Sequence, residues 1–434
     1  MSAQKPLIPS VVSRRQFLSM VGVSAAAVAA PTAADLVVNE ADAASKKASK
    51  TTAKKSTKKT AAPAPSVGAE RPGPRVLVVI ELQGGNDGYS MLIPSGDGRF
   101  RQLRDRVWFE NKDIVRLDDR YSIAAGLAPL AGQFGFIEGI GVAKPDLSHS
   151  GMMARWWAGE PDSVAAVRTG FLGRCCDALV DSGAIVGVSV GGGSTPALIS
   201  ERAPTVALPD LGSLKELTDD RDARMQPTLS ALTNGAGDTA GLDGVDAGLM
   251  NAARNGLASG LSVVGALGSI NGKTPGYPDT NLARSLSMAR ELVAINAGVR
   301  VIHIPWGSFD THTGHRYSHP AQMRELGAAL VAFHNDLVRT GLSRRVMVAT
   351  TSEFGRRPQA NAGGTDHGTA STALMLGPLR PGRYGSPVNF NQLDQAGNAA
   401  ATVNMTDYYA TLAGWLGIPS TQVLGSGSAI SGIV

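Results

Sequence analysis

The chain has 434 residues, a formal net charge of +5, 43% hydrophobic residues and two cysteines. This length allows two average domains or one large one. The basic excess lies in residues 1–75, which hold 12 Lys and Arg against 4 Asp and Glu and leave 29 against 32 in the rest. The near-neutral remainder argues against a nucleic-acid surface. A bond between the adjacent Cys175 and Cys176 would be strained, which argues against a disulfide framework.

The N-terminus is typical of an export signal. Ser13 to Leu18 reads SRRQFL, a twin-arginine pattern, and the apolar run from Met20 to Ala30 is short and alanine-rich. Such a run is too short to span a bilayer comfortably, and small residues that suit cleavage follow it. We therefore predict a signal over residues 1–44 that is read by the twin-arginine translocase. The expected location is periplasmic, extracellular or in the cell envelope, and retention as an uncleaved anchor is the alternative.

Residues 45–75 are predicted to be a disordered linker. They contain seven lysines among Ala, Thr, Ser and Pro, with almost no large apolar residue. A segment of this composition cannot bury enough surface to order itself. We expect this segment to be a solvated spacer or to contact an anionic envelope surface.

Residues 76–434 are predicted to form one α/β domain. Short β-branched runs alternate with helical patterns, which indicates a mostly parallel sheet flanked by helices on both faces. Residues 200–280 are richer in Gly, Ala and Asp and are predicted to be an insertion or cap. The predicted strands are 75–82, 135–142, 184–190, 300–304 and 345–351, and the predicted helices are 98–107, 125–133, 165–182, 281–297, 320–340 and 406–416.

The segment Trp306 to His315, WGSFDTHTGH, concentrates metal-binding chemistry. Asp310, His312 and His315 lie within six residues of a chain that has seven histidines. Loops at the carboxyl ends of strands are where ligands bind in α/β proteins. A carboxylate with imidazoles suits a divalent transition metal. The alternative is a polar loop whose histidines cap the next helix.

Three more polar loops follow predicted strands or glycines. Asp87 closes QGGND, Glu353 and Arg356 lie in SEFGR, and Asp366 and His367 lie in GGTDHG. If these loops and the Asp310 loop all lie at one sheet edge, their side chains form a metal site with oxygen and nitrogen ligands. Arg356 would then bind an anionic group of the substrate. The Asn-Asp-Gly at residues 86–88 is also ordinary turn chemistry.

The segment Ser148-His149-Ser150 leads into a helical pattern. A serine at this place is usually an N-cap. A hydroxyl at a helix N-terminus would also have backbone N–H groups and the helix dipole to stabilise an oxyanion. Ser150 is the preferred nucleophile, Ser148 the second candidate, and His149 a ligand or proton carrier.

Together with the twin-arginine start, the GGND, DTH, TSEFGR and GTDHG stretches occur in an order that resembles the exported proteins called domain of unknown function 1501. That family is similar to the alkaline phosphatase, sulfatase and phosphoglycerate mutase superfamily, whose members bind one or two divalent metals. The resemblance implies an alkaline phosphatase-like sandwich. It also implies metal ligands at Asp87, at Asp310 with His312 or His315, and at His367, with the nucleophile at Ser148 or Ser150.

The chain departs from the superfamily at Glu353-Phe354, where an Asp-His pair is common. An imidazole ligand is therefore missing unless Asp366-His367 supplies it, and a two-metal centre is in doubt. The sequence predicts an exported hydrolase of small phosphate or sulfate esters that uses one or two ions of zinc, calcium or manganese. In it, a serine attacks and Arg356 holds a substrate oxygen. The alternative is a non-catalytic envelope binding protein with a degenerate metal site.

Overall fold

The structure is a computed structural model that describes residues 68–162, 164–183, 185–209, 276–296 and 298–434. The strands are β1 (Val76–Leu82), β2 (Leu92–Ile93), β3 (Ile114–Arg116), β4 (Ser122–Ala124), β5 (Phe134–Gly141), β6 (Gly187–Val190), β7 (Thr205–Leu208), β8 (Val301–Trp306), β9 (Val346–Thr351), β10 (Gly355–Ala360), β11 (Thr365–Gly368), β12 (Ser371–Leu376), β13 (Gly382–Gly385) and β14 (Val403–Asn404). The α-helices are α1 (Gly88–Met91), α2 (Gly98–Leu103), α3 (His149–Ala158), α4 (Phe171–Ala178), α5 (Asn281–Ile295), α6 (His315–Arg339), α7 (Met405–Leu416) and α8 (Ser420–Val423).

A nine-stranded sheet forms the centre of the fold. Its order is β13-β5-β12-β9-β1-β8-β6-β7, and β14 also pairs with β5. The strands β9, β1, β8, β6 and β7 are mutually parallel, whereas β12 is antiparallel to both β5 and β9. The predicted α/β architecture with a mostly parallel central sheet is confirmed.

Helices cover both faces of this sheet. Every residue of β1 is buried, and the strand alternates between two cores. Val78 and Ile80 pack with residues of α5 and α6, whereas Leu77 and Val79 pack with residues of α3, α4 and α7. This double burial explains why β1 is a continuous apolar run rather than an alternating one.

Several predicted boundaries are wrong. Residues 125–133 form a short 3₁₀ helix at Ala128–Gln133 that carries a proline in its first turn. The predicted helix over 165–182 shortens to α4, which lies between Gly170 and Leu179. The predicted cap begins too early, because β7 joins the central sheet beside β6. The rest of the cap, residues 210–275, lies outside the described residues, as do the predicted signal and linker up to residue 67.

Two differences between the predicted and the observed elements change where candidate site residues lie. α6 starts at His315, five residues before the predicted start, after a left-handed Gly314, so His315 lies on a helix and not in the loop. The glycine-rich loop around residues 363–368 is instead part of a hairpin in which β11 pairs with β10. Asp366 and His367 therefore lie on a strand and not in a loop.

In the part of the chain that the structure describes, no helix combines the length and apolar character needed to cross a membrane. Cys175 and Cys176 are buried free thiols, as the argument against a disulfide framework requires.

Candidate metal centre

Three side chains meet at the carboxyl edge of the central sheet. Asp310 and His312 lie in the loop after β8, and His367 lies on β11. The Nε2 atoms of His312 and His367 are 3.0 Å apart, and each is 3.1 Å from Asp310 Oδ1. This compact triangle brings together residues separated by more than fifty positions in the sequence.

His149, the first residue of α3, adds a fourth donor to the triangle. Its Nε2 lies 3.6 Å from Asp310 Oδ2, and its ring centroid lies 4.6 Å from that of His367. The donor atoms of His149, Asp310 and His367 all lie within 4.8 Å of one another. The centre is open to solvent, since the side chains of Asp310, His312 and His149 are 44%, 41% and 39% exposed.

All three imidazoles are oriented in the same way, with Nδ1 bonded to an oxygen and Nε2 facing the centre. The Nδ1 partners are Asp366 Oδ1 for His312 at 2.9 Å, Glu353 Oε1 for His149 at 2.9 Å and the Leu147 carbonyl for His367 at 2.8 Å. An ionised carboxylate or a carbonyl can only accept a hydrogen bond, so each Nδ1 carries the proton. In the neutral rings, each Nε2 therefore carries a lone pair that is directed into the centre.

Two lone pairs that face each other at 3.0 Å beside a carboxylate oxygen repel unless a cation lies among them. Zinc–nitrogen bonds of about 2.0–2.1 Å place tetrahedral ligands about 3.3 Å apart. The observed 3.0–3.6 Å separations lie around that value. Metal-binding histidines also donate the second ring N–H to a carboxylate or carbonyl. The residues present therefore fit a divalent metal ion.

Local charges set the ionisation of the centre. Burial alone would raise the pKa of Asp310, but the hydrogen bond from Arg356 outweighs it and lowers this pKa to about 2. The hydrogen bond to Glu353 raises the pKa of His149, whereas burial lowers the pKa of His367. Asp310 is consequently a permanent anion at neutral pH.

Arg356 does not have the role that the sequence suggested. Its side chain is fully buried, and its Nη2 donates to Asp310 Oδ1 at 2.8 Å. The other donors go to backbone carbonyls of Gly84, Gly85, Phe309 and Thr365. These bonds let Arg356 position the Asp310 loop, and its full burial keeps it from contact with a substrate oxygen.

Asp87 and His315 also lie apart from the triangle. Asp87 is fully buried, and both of its oxygens accept from Arg104, which is itself fully buried. His315 Nε2 is 3.2 Å from Asp87 and 3.0 Å from Ser90 Oγ. Burial would raise the pKa of Asp87, yet Arg104 and His315 hold it well below its usual value. The structure thus makes the predicted ligands Asp87 and His315 part of a buried ion-pair group.

The hydroxyls of the 148–150 segment are not directed at the centre by any hydrogen bond. Ser148 is the N-cap of α3, and its Oγ accepts from the Gly151 N–H at 3.2 Å. Ser150 is exposed in the first turn. The residue of this segment that faces the centre is His149. The nucleophile role of either serine therefore stays a prediction.

Glu353 and Asp366, which the sequence offered as ligands, instead orient the ligand imidazoles. Phe354 packs against the rings of His149 and His367, at centroid distances of 5.0 and 4.1 Å. The imidazole beside Phe354 is that of His149, from α3.

The sequence reasoning missed Leu147, whose φ of 59° is unusual for a leucine and whose carbonyl accepts from His367. It also missed Arg104, which lies in an ordinary helical pattern. Neither residue carries a signal in the sequence.

Comparison with known proteins gives a family and a set of structural neighbours. A family model described as "Protein of unknown function (DUF1501)" matches residues 200–429, more than half of the chain, including the Asp310, Glu353 and His367 segments. No curated protein matches.

Among solved structures, a mutant of alkaline phosphatase PafA is 10% identical with a TM-score of 0.43, over 84% of this chain and 100% of that one. The lipoteichoic acid synthase LtaP from Listeria monocytogenes is 8% identical with a TM-score of 0.42, over 83% and 76%. The PsFucS1 sulfatase from Pseudoalteromonas sp. is 12% identical with a TM-score of 0.37, over 82% and 70%. We base no residue assignment on likenesses this distant. The family match does not depend on them, and the chain belongs to the DUF1501 family.

Proposed function

We propose that the protein is an exported, metal-dependent hydrolase of phosphate or sulfate esters. The observation that carries the proposal is the meeting of Asp310 with the Nε2 atoms of His312 and His367, with His149 beside them, at a place open to solvent. Because His149, His312 and Asp310 are 39–44% exposed, a substrate could reach an ion held by these side chains.

The donor set favours zinc or manganese over calcium. Calcium takes six to eight oxygen ligands, whereas His149, His312 and His367 offer nitrogen. Imidazole suits zinc and other transition metals. Among the described residues, Asp87 and His315 are the other group that the sequence offered for a metal, and Arg104 already neutralises Asp87. We therefore propose a single ion.

A divalent ion held here would act as a Lewis acid on a phosphoryl or sulfuryl oxygen and stabilise developing negative charge. Asp310 and the three histidines would hold it, while Glu353 and Asp366 keep His149 and His312 in the required tautomer. Arg356 keeps Asp310 ionised. Ser150, at the exposed start of α3, is the proposed attacking hydroxyl, because Ser148 is engaged as the N-cap.

One observation favours the alternative of a non-catalytic envelope binding protein. Arg356 is fully buried among protein acceptors, and neither serine is held towards the centre by a hydrogen bond. Such a protein would bind a metal or an anion at this place without turnover.

The test is a screen of generic phosphate and sulfate esters with zinc and manganese, using protein recovered after export. We expect turnover in the wild type, loss in His312→Ala, loss without a change in melting temperature in Ser150→Ala, and near-normal turnover in Ser148→Ala. Equal activity in both serine variants and the wild type would refute the serine nucleophile and would not contradict the metal centre. Metal-loaded wild type without turnover of any ester would favour the binding protein.

A further inference from the structure

An arginine precedes each of the three neighbouring central strands. Arg300 precedes β8, Arg75 precedes β1 and Arg345 precedes β9. These strands are parallel and in near register, since Leu77 pairs with Val301 and Val76 with Val346. The three guanidinium groups therefore form a row along the amino edge of the sheet. The candidate metal centre is at the other edge, about 20 Å away at roughly 3.3 Å per residue.

Two more arginines extend this row into a basic face, which we define as Arg71, Arg75, Arg300, Arg344 and Arg345. Arg71 and Arg75 are exposed and the side chain of Arg344 is 81% exposed, whereas Arg300 is half-buried and Arg345 is buried beneath them. Burial lowers the pKa of Arg300, and the nearby charges of Arg345 and Arg75 lower it further. The positive charges are thus close enough to repel one another.

Almost no carboxylate balances these charges within the described residues. Arg344 lies 3.6 Å from Glu70, and the other four arginines bond to neutral groups. Those acceptors are the carbonyls of Ala294, Trp415, Arg75 and Pro74, the hydroxyl of Ser182 and the amide oxygen of Asn296. Two exposed arginines on other parts of the surface, Arg116 and Arg284, do have carboxylate partners, Asp119 and Asp279.

The N-terminal segment joins the domain at this same face. The Gly68 N–H donates to the Val338 carbonyl, and the Arg71 N–H donates to the Gly341 carbonyl. The seven lysines of residues 45–67 are therefore tethered to the edge that carries the arginines. The charges of this segment and of the face are of one sign.

An apolar groove of about 570 Å³ opens beside the arginines. Phe333, Leu337 and Trp415 line it, and Val434, which also lines it, is 56% exposed. Arg75 and Arg344 lie among the lining residues.

We propose that the basic face binds the anionic phospholipid surface of the envelope, together with the lysine segment, and holds the metal centre directed away from the membrane. Each Lys or Arg near an anionic membrane strengthens binding about fivefold, and salt screens the attraction. The geometry of the central strands gives the orientation, because the arginines and the metal ligands occupy opposite edges of one sheet. This inference does not depend on the proposed catalytic activity.

The test is co-sedimentation of the exported protein with vesicles of phosphatidylcholine alone and of an equimolar mixture with phosphatidylglycerol. We expect binding to the mixture only, and loss of that binding at high salt. The variant Arg71→Gln/Arg75→Gln/Arg344→Gln should bind about 100-fold more weakly, at about fivefold per charge. The matched control Arg116→Gln/Arg284→Gln/Arg383→Gln, which removes the same charge from carboxylate-paired arginines, should bind as the wild type does.

Because Arg75 also contacts Trp415, the double variant Arg71→Gln/Arg344→Gln serves if the triple variant does not fold. It should bind at least tenfold more weakly than the wild type. Unchanged binding of folded variants, equal binding to neutral vesicles, or an equal loss in the control would each overturn the proposal. Binding to soluble polyphosphate without binding to vesicles would assign the face to a polyanionic polymer and would also overturn it.

Discussion

Replacing Glu353 by glutamine tests whether this residue orients a metal-binding histidine, with little effect on the folding of the protein. Glu353 is buried, with Oε1 accepting from His149 Nδ1 at 2.9 Å and from the Gly84 N–H at 2.8 Å. A glutamine oxygen can accept both bonds, and its amide replaces an oxygen that makes only a 3.3 Å contact with Ser352. The substitution therefore removes the charge behind His149 and keeps the shape.

The expected loss of metal affinity is about 10–100-fold, the usual effect of changing a group that orients a metal-binding histidine. At about 1.4 kcal/mol per factor of ten, this is about 1.4–2.8 kcal/mol of binding free energy. The metal-free protein should lose only about 1 kcal/mol of unfolding free energy, because a charge-assisted hydrogen bond becomes a neutral one.

The assay is a competition titration of zinc against a chelator, with thermal melting of the metal-free proteins alongside. Glu81→Gln is a matched control, since Glu81 is a buried carboxylate whose Oε2 lies 3.1 Å from His303 Nε2, in a group separate from the triangle. It should lower stability and leave zinc affinity unchanged. Equal zinc affinity in the wild type and Glu353→Gln would refute the assignment of His149 as a ligand oriented by Glu353.

Three further outcomes are expected. Arg14→Lys with Arg15→Lys should leave the protein in the cytoplasm, measured by cell fractionation, and normal envelope levels of the double variant would contradict the signal assignment. Full burial, with the charge of His315, lowers the pKa of His319 from 6.5 to about 3. The unfolded chain then binds a proton that the folded one does not, so stability should fall as the pH drops from about 6.5 towards 3, by at most about 1.4 kcal/mol per pH unit. Chemical unfolding of His319→Gln across this range should show a shallower fall, and identical pH profiles would contradict the assignment. Ser148→Ala should cost about 0.5–2 kcal/mol of unfolding free energy as a lost N-cap, and an unchanged midpoint in thermal melting would argue against the cap.

Much of the fold follows from local pattern in the sequence. The apolar runs at β1, β8 and β9 are buried on both faces, which is why they lack alternation and could be recognised as central strands. Parallel strands bring their carboxyl ends to one edge, so the position of Asp310 and His312 there could also be expected, whereas His367 comes from the β10–β11 hairpin. The start of α6 could not, because Pro320 suggested a first-turn position and the helix in fact begins at His315.

The roles within the site depend on contacts that the sequence does not display. Asp87 looks like a ligand until the buried guanidinium of Arg104 is found on it, and nothing in the α2 pattern marks that arginine. Glu353 and His149 are 204 positions apart, and only their hydrogen bond shows that one orients the other. Asp366 and His367 are adjacent, yet the period of two in β11 sends one to His312 Nδ1 and the other to Asp310.

The most direct measurement of the central claim is the metal content of protein folded in its native compartment, by elemental analysis. The geometry of Asp310, His149, His312 and His367 predicts a single tightly held divalent ion per chain. Asp310→Ala, His312→Ala and His367→Ala should each lower metal content and melting temperature, because an ion that binds only the folded state stabilises it. Protein that carries no divalent ion, and whose melting temperature does not respond to added zinc or manganese, would contradict the account.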